Sequence, residues 1–363
     1  MKKKHKILQI VDSLEIGGSE RMSVNICNSF TLNKIENYLV VSRKTGFLYN
    51  FIKEKENVTF LNKKGFLDLM AFLKLFKLVR SYKPSVVHAH QTSIYWIFLV
   101  KLLFPRVIVI WHDHWGYSDL LKDSDRKIIK YFSFLINGVV CVNEKIKEWN
   151  IKHLKVKKEA IVYIPNYSLL EIIKAKKSDK FVLACVANIR NQKDHINLLK
   201  ACFLLKEQNI DFELLLAGSL TDVNYVKKIK NKIIELDLGD NVSFLGPVIN
   251  ISEVLSNSDV GILSSVSEGL PLSLLEYGLA ELPVVCTNVG QCKEVLGNGE
   301  FGWIVPPKSP QKLADALKEV FENRELANLK AIGLKKNIQN HYGSKKFILK
   351  YLNLLNNVNY SAI

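Results

Sequence analysis

Two carboxylates beside the start of a helix carry the most informative chemistry in this 363-residue chain. Glu268 lies in a loop that enters a helix. Glu276 follows about one and a half turns later, one turn after Leu272 and Ser273. Ionised carboxylates are good acceptors for sugar hydroxyls. The backbone N–H groups of Gly269, Leu270 and Leu272 fall where a helix start carries orphan donors and partial positive charge, an arrangement that meets phosphate oxygens. Acids for a polyol next to amides for a pyrophosphate suit a nucleotide sugar. Spacing alone serves equally well for a helix-start acid and a solvated face.

The elements that must position this pair read as strand, loop, helix, strand. The apolar run Asp259–Ser265 is the first strand and Val266–Gly269 the loop. Pro271 fits the first helical position, where its missing N–H is no loss. The helix runs to about Ala280, Pro283 ends it, and Val284–Cys286 begins the next strand. In an open parallel sheet such a loop sits at the carboxyl ends of the strands, where ligands bind.

The same grammar recurs upstream. Ile7–Val11 reads as a strand, followed by Gly17-Gly18 and a helix to about Phe30 that Ser19 can cap. Further strands are expected at Tyr38–Ser42, Val58–Leu61, Ser85–His88, Pro105–Trp111, Val139–Asn143, Phe181–Ala187, Phe212–Ala217 and Val242–Leu245. Helices are expected at Ile251–Ser256, Pro310–Glu322, Glu325–Gln339 and Ser344–Asn356. Phe66–Arg80 reads as a basic, broadly apolar helix, suited either to a membrane interface or to a core flanked by snorkelling lysines. His88 and His90, then His112 and His114, end two strands. Without a placed third ligand they make a poor metal site.

Length implies two domains, each able to bury a core. Apolar content of 48% with 24% charged residues is that of a soluble globular protein. The net charge of +16 is uneven: residues 1–180 hold 32 Lys and Arg against 16 Asp and Glu, while residues 181–363 hold 19 of each. The first half should be drawn to an anionic surface or a phosphorylated acceptor. It carries no aromatic-basic motif for nucleic acid. The apolar part of the N-terminus is short and broken by Asp12, so it reads as a buried strand rather than a signal peptide. Ile94–Ile110 is cut by Lys101, Pro105 and Arg106 and does not read as a membrane span. The six cysteines lack metal-ligand spacing and read as reduced core thiols of a cytosolic protein.

Glu268-Gly-Leu-Pro-Leu-Ser-Leu-Leu-Glu276 resembles the E-x7-E motif of the GT-B glycosyltransferases of family 4. Asp259-Val-Gly-Ile-Leu before it agrees, as do Leu282-Pro-Val-Val, Asn288-Val-Gly and Gly299-Glu-Phe-Gly-Trp after it. The resemblance covers nearly the whole chain. It implies an α/β fold of two Rossmann-like doubly wound domains facing across a cleft: an acceptor-binding domain over 1–170 and a nucleotide-sugar-binding domain over 181–340. The linker is Ser168–Lys180, and a C-terminal helix in 341–363 packs back on the first domain.

The resemblance also assigns roles. Gly17 and Gly18 match a GG-x-E-R loop that faces the donor phosphates. His112 stands where a histidine contacts the transferred sugar, with Asp113 as a neighbour for sugar or acceptor. Ile161-Val-Tyr-Ile-Pro-Asn166 resembles I-P-N-G, with Tyr167 in place of the glycine. Lys193 matches a lysine that holds the donor diphosphate. Asn188 replaces the usual arginine, and Arg190 is a second candidate for its charge. Val248 falls where backbone meets the nucleobase. Gly269, Leu270, Pro271, Leu272 and Ser273 border the donor, Glu276 would hold the ribose, and Glu268 the sugar. Glu281 replaces a glycine usual at the helix end.

The activity implied is retaining transfer of a hexosyl or N-acetylhexosaminyl group from a UDP- or GDP-sugar, with no cofactor and no metal. Asp123-Ser-Asp125 has the letters of a metal-diphosphate motif but precedes a Lys-rich helix. The expected partners are the nucleotide sugar, a lipid-linked glycan acceptor and an anionic membrane surface. The expected setting is capsule or lipopolysaccharide synthesis, in the cytoplasm or peripherally on the inner membrane face. Competing readings are a nucleotide-sugar epimerase of the same fold and a non-catalytic nucleotide-sugar-binding protein.

Overall fold

The computed structural model describes residues 5–65, 68–116, 118–170, 180–248 and 250–360. The first half contains β1 (Lys6–Ser13), α1 (Gly18–Leu32), β2 (Glu36–Lys44), β3 (Val58–Phe60), α2 (Leu69–Tyr82), β4 (Val86–His90), α3 (Ile94–Leu103), β5 (Ile108–Asp113), α4 (Lys127–Phe132), β6 (Gly138–Cys141), α5 (Glu144–His153) and β7 (Ile161–Tyr163). The second contains β8 (Phe181–Val186), α6 (His195–Glu207), β9 (Phe212–Ala217), α7 (Val223–Glu235), β10 (Val242–Gly246), α8 (Ile251–Ser256), β11 (Val260–Leu263), α9 (Leu272–Leu279), β12 (Val284–Thr287), α10 (Cys292–Val295), β13 (Trp303–Val305), α11 (Pro310–Glu322), α12 (Arg324–His341) and α13 (Ser344–Tyr360).

The chain divides into two compact units. One is Met1–Trp115, Leu121–Tyr167 and Ser344–Ile363; the other is Gly116–Leu120 and Ser168–Gly343. Of the expected linker, residues 171–179 lie outside the described residues.

The first unit holds a parallel sheet in the order β3-β2-β1-β4-β5-β6-β7. This is the doubly wound order, in which the chain works outward from β1 in both directions. Strand alternation sorts the side chains. Leu8 and Ile10, Val87 and Ala89, and Val109 and Trp111 join one core with Leu75 and Val79 of α2 and Ile97 of α3. The alternate positions Gln9, His88, His90 and His112 are polar and also buried. Their face is covered by α13, whose Tyr351 ring stacks on His88 at 5.1 Å and whose Phe347 ring lies 6.0 Å from His112. Tyr351 also meets Phe30 of α1 at 5.5 Å. The last helix therefore belongs to the first unit, as the resemblance implied.

In the first unit, the starts of α1 and α2 differ from expectation. Gly17, extended at φ −159°, caps α1 without a side-chain bond. Ser19 lies inside the helix, where its hydroxyl donates to Glu20 Oε2 at 2.7 Å, so it is not the cap. The basic apolar helix starts at Leu69, because Asp68 accepts from Ala71 N–H at 3.0 Å and fixes the first turn. Phe66 lies outside the described residues.

The second unit holds a parallel sheet in the order β10-β9-β8-β11-β12-β13. Leu183, Leu214, Ile262 and Val285 pack with α6, α7 and α11 on one face. On the other, α9 approaches so closely that its Gly278 has Leu334 and Ile338 of α12 where a Cβ would stand. The helix begins at Leu272, with Pro271 as its cap residue rather than its first turn. Just beyond its end lies Glu281, held at φ +56° in the left-handed region that glycine favours. Bonds from Glu281 N to Gly278 O and from Leu282 N to Tyr277 O, both 3.0 Å, close the end. The Glu281 carboxylate pairs with Lys335 at 2.6 Å, which gives the departure from glycine a local use.

Gly261 in β11 is required by packing, since a Cβ there would meet the ring of Tyr277. That ring cannot slide freely, because its hydroxyl accepts from Val186 N–H at 2.7 Å and donates to Ile262 O at 3.2 Å. Gly261→Ala should lower the unfolding free energy by about 1–3 kcal/mol, the usual range for overpacking. Urea titration checks this, and an unchanged midpoint would show that α9 has room to move.

Candidate functional site

In the second unit, five loops leave the carboxyl ends of parallel strands and bind one another. After β8, Asn188 Oδ1 accepts from Ser219 N–H at 3.0 Å, and Ile189 N–H donates to Ser219 O at 2.9 Å. Gly218 N–H donates to Gly246 O at 2.8 Å, which brings in the loop after β10. Val266 N–H donates to Gln192 O at 2.9 Å, tying the loop after β11 to the loop after β8. Gln291 N–H donates to Gly269 O at 3.0 Å and adds the loop after β12. Gly290 there sits at φ +52°, and a Cβ would meet the carbonyls of Glu268 and Gly269.

Glu268 and Lys193 meet inside this junction as an ion pair. Glu268 is only 4% exposed and the Lys193 side chain 12%. Charges this deep are tolerable only when paired and hydrogen-bonded. Ser265 supplies a further bond to the same carboxylate oxygen at 2.6 Å. Ser264 fixes the backbone of Lys193 by donating to its carbonyl at 2.8 Å. Glu276, 3% exposed, accepts from Ser168 at 3.4 Å. Its helix starts at a proline with no side-chain cap, so the dipole end at Leu272 and Ser273 is not neutralised by a capping side chain.

The other residues singled out from sequence are placed as follows. Gly269, Leu270, Pro271, Leu272 and Ser273 are buried in the stretch that enters α9. Asn188 is half-buried and engaged with Ser219. Arg190 is exposed. Strand alternation does not decide its direction, because β8 ends at Val186 and Arg190 lies in the loop beyond. Val248 is half-buried just past β10.

Sequence reasoning missed the residues that brace the pair. Gln192 donates to Gly116 O at 2.7 Å and Ser267 O at 2.8 Å. Ser118 donates to the Glu268 carbonyl. A glutamine and serines in loops give no periodic or charge signal, so only the fold reveals them.

In the first unit, Gly17 and Gly18 form the start of α1, and a Cβ at Gly18 would have no neighbour within 4 Å. His112 is fully buried in a layer of four histidines. His90 of β4 pairs in register with His112 of β5. His88 Nε2 bonds His112 Nδ1 at 3.2 Å, and His90 Nδ1 bonds His114 Nε2 at 3.1 Å. Gln9 Oε1 receives His90 Nε2 at 3.2 Å. With a carbonyl oxygen as that partner, His90 carries its proton on Nε2, so its Nδ1 accepts from His114. One proton lies between His88 and His112. Of their two outer nitrogens, His88 Nδ1 and His112 Nε2, one then bears hydrogen and the other is bare, and both are buried without a partner among the described residues.

The register thus supplies the third histidine that sequence left unplaced, and His88, His90 and His112 each bring one nitrogen within 4.8 Å of the others. The group contains no carboxylate or thiolate, and its inner nitrogens already serve one another as hydrogen-bond partners. Asp113, expected as a neighbour for sugar or acceptor, is buried and its carboxylate is engaged within the protein. Arg126 grips it with bonds of 2.5 and 2.8 Å, and Asn150 adds a third at 3.0 Å. Asp123 is likewise used by Lys152 at 2.7 Å.

Comparison with known proteins gives two family matches. Residues 16–167 match the family described as Glycosyltransferase Family 4, and residues 170–333 match Glycosyl transferases group 1. An Escherichia coli protein named UDP-Gal:alpha-D-GlcNAc-diphosphoundecaprenol alpha-1,3-galactosyltransferase is 24% identical over 310 residues, 79% of each chain. The O-antigen biosynthesis glycosyltransferase WbnH, also of Escherichia coli, is 26% identical over 332 residues, 87% of this chain and 90% of that one. Among solved structures, HepE of Anabaena in complex with UDP and glucose superposes with a TM-score of 0.83 at 17% identity, covering 97% of this chain and 99% of that one.

Burial makes the histidines a pH sensor of stability. Removal from water holds His88, His112 and His114 well below the usual imidazole value and pushes His90 and His195 down to about 3. The folded rings stay neutral while the unfolded chain takes up protons below about pH 6.5. Stability is therefore full above that value and is lost as pH falls toward about 3. One such histidine loses roughly 2 kcal/mol between pH 7 and pH 5. The urea midpoint should fall over this interval, and His195→Asn should shrink the fall. A midpoint that is flat from pH 7 to pH 5 would contradict neutral burial.

Proposed function

The chain belongs to the group 1, family 4 glycosyltransferases of GT-B fold, and we propose that it transfers a sugar, with retention at the anomeric carbon, from a UDP- or GDP-sugar to a lipid-linked glycan of a bacterial surface polysaccharide. The observation that carries the reading is the buried Lys193–Glu268 pair, one helix start away from Glu276. Lys193 would give its charge to a diphosphate. Glu268, released from it, would accept hydroxyl hydrogens of the sugar, and Glu276 those of the ribose.

In the reaction, the bond between the anomeric carbon and the diphosphate oxygen breaks and a bond to the acceptor oxygen forms. The nucleoside diphosphate leaves with the bonding electron pair, and the acceptor proton leaves with it or passes to solvent. Lys193 and the N–H groups of Gly269, Leu270 and Leu272 would stabilise the developing anion from fixed positions, which is worth more in a dry site than in water. The readings of retention and of metal independence rest on family likeness alone. The roles of Gly17, Gly18 and His112 toward the donor stand on the same footing. The name of the galactosyltransferase relative supports an undecaprenyl-type acceptor, and the UDP and glucose held by HepE support a UDP-sugar.

A melting screen with UDP, GDP and their sugars, with and without EDTA, tests the donor half. A ligand that binds only the folded chain raises the midpoint, and a rise with one diphosphate that persists in EDTA is expected. Glu268→Gln should keep that rise while turnover falls by about a hundredfold or more, the scale of losing one charge-stabilising contact. Equal turnover in the variant would remove Glu268 from the chemistry. Conversion of the donor sugar without any acceptor would favour an epimerase instead.

A further inference from the structure

We propose that a cavity at the amino ends of β1 and β2 binds one sugar ring of a glycan, apart from the transfer reaction. The site lies at the end of the first sheet opposite to His90 and His112, and it goes beyond the activity proposed above.

The path of the chain forms the cavity. The helix α1 ends where Lys34 takes φ +55° and Ile35 N–H returns to Phe30 O at 2.9 Å. The chain then enters β2 at once, with Asn37 in register with Ile7 of β1. Glu54 and Asn57 come from the turn before β3, and Tyr82 is the last residue of α2. Together they line an open cavity of about 240 Å³. Sites for drug-sized ligands begin at about 300 Å³, so this one has room for a single ring.

Two polar groups of the lining are left over by the protein. Asn37 is only 5% exposed. Its Nδ2 donates to Thr31 Oγ1 and to Ile35 O, both at 3.3 Å, while its Oδ1 has no hydrogen-bond partner among the described residues. The Tyr82 hydroxyl is also buried without one. Its ring is held by Tyr38 at 5.1 Å and by the Lys6 ammonium at 4.4 Å, which keeps the hydroxyl in place. A buried polar group without a partner costs free energy. Asn37 Oδ1 needs a donor and the Tyr82 O–H needs an acceptor, and a ligand hydroxyl is both.

Charge narrows the class. Lys6 neutralises Glu36 at 2.6 Å. Glu54 Oε2 accepts from Thr31 at 3.3 Å and from Asn57 at 2.9 Å, which leaves Oε1 to accept a further hydroxyl. Lys34 also lines the cavity and offsets that carboxylate. Donors and acceptors mixed in a cavity of little net charge suit a polyol better than a metal ion or a polyamine.

Saturation-transfer NMR of the full chain with methyl α-glucoside, methyl α-galactoside and N-acetylglucosamine tests this. It needs neither donor nor turnover, so it can fail independently of the proposed reaction. At least one of these sugars is expected to bind with a dissociation constant of about 1–10 mM, the scale of a few hydrogen bonds to one ring. Tyr82→Phe should weaken binding about fivefold, the worth of one net hydrogen bond. The same change should keep or raise the urea midpoint, because it removes an unpartnered hydroxyl. Tyr82→Phe with Asn37→Ala should weaken binding at least about tenfold. Glu268→Gln should leave it unchanged. The proposal is overturned by no binding to the parent chain, by undiminished binding in both variants, or by loss of binding in Glu268→Gln, which would put the sugar in the transfer site. Displacement of the sugar by an equal concentration of putrescine also overturns it, since the carboxylates would then serve a cation.

Discussion

A buried ion pair constrains everything around it. Lys193 and Glu268 come from loops far apart in sequence, and neither is tolerable at that depth alone. Their meeting requires the ends of β8 and β11 to be neighbours, which the order β8-β11 provides. It also requires the loops to be stiff. Ser264, Ser265, Gln192 and the carbonyl contacts at Gly290 supply that stiffness through hydrogen bonds rather than apolar packing. The apolar core beneath sets the strands, and the polar layer at their ends sets the chemistry.

The first unit solves a different problem. Its sheet is apolar on one face and carries histidines and a glutamine on the other. Those rings satisfy part of their need by pairing with one another, and α13 closes over them with aromatic rings. Buried polar groups left partly unsatisfied cost stability and are kept where they serve something else. The outer nitrogens of His88 and His112 are the groups in question.

The fold was legible because its signals are periodic. Fully buried parallel strands appear as short apolar runs, and Pro310–Glu322 and Ile251–Ser256 match the helices to the residue. Boundaries failed where side chains compete for a cap, as at Ser19 and Asp68. The Glu268–Glu276 spacing was visible because a helix imposes it. Its bracing by Gln192, Ser118 and Gly116 was not, since long-range contacts between loops leave no local pattern. The same holds for Asp113, whose grip by Arg126 depends on the return of the chain after residue 120. The third histidine could have been found from strand register, had β4 and β5 been aligned as neighbours before metal spacing was counted along the sequence.

The place of α13 sets an order of events during synthesis. The first unit is begun by residues that precede the second unit in the chain, yet its histidine face is covered by Phe347 and Tyr351, which follow that unit. Until then His88 and His112 lack the aromatic cover that α13 supplies. The second unit, drawn almost entirely from Ser168–Gly343, has all its strands before the final helix exists. Of the two units, the one that starts first is therefore completed last, and a nascent chain stalled short of residue 344 would hold every strand of the second sheet while the histidine face of the first still lacked its cover.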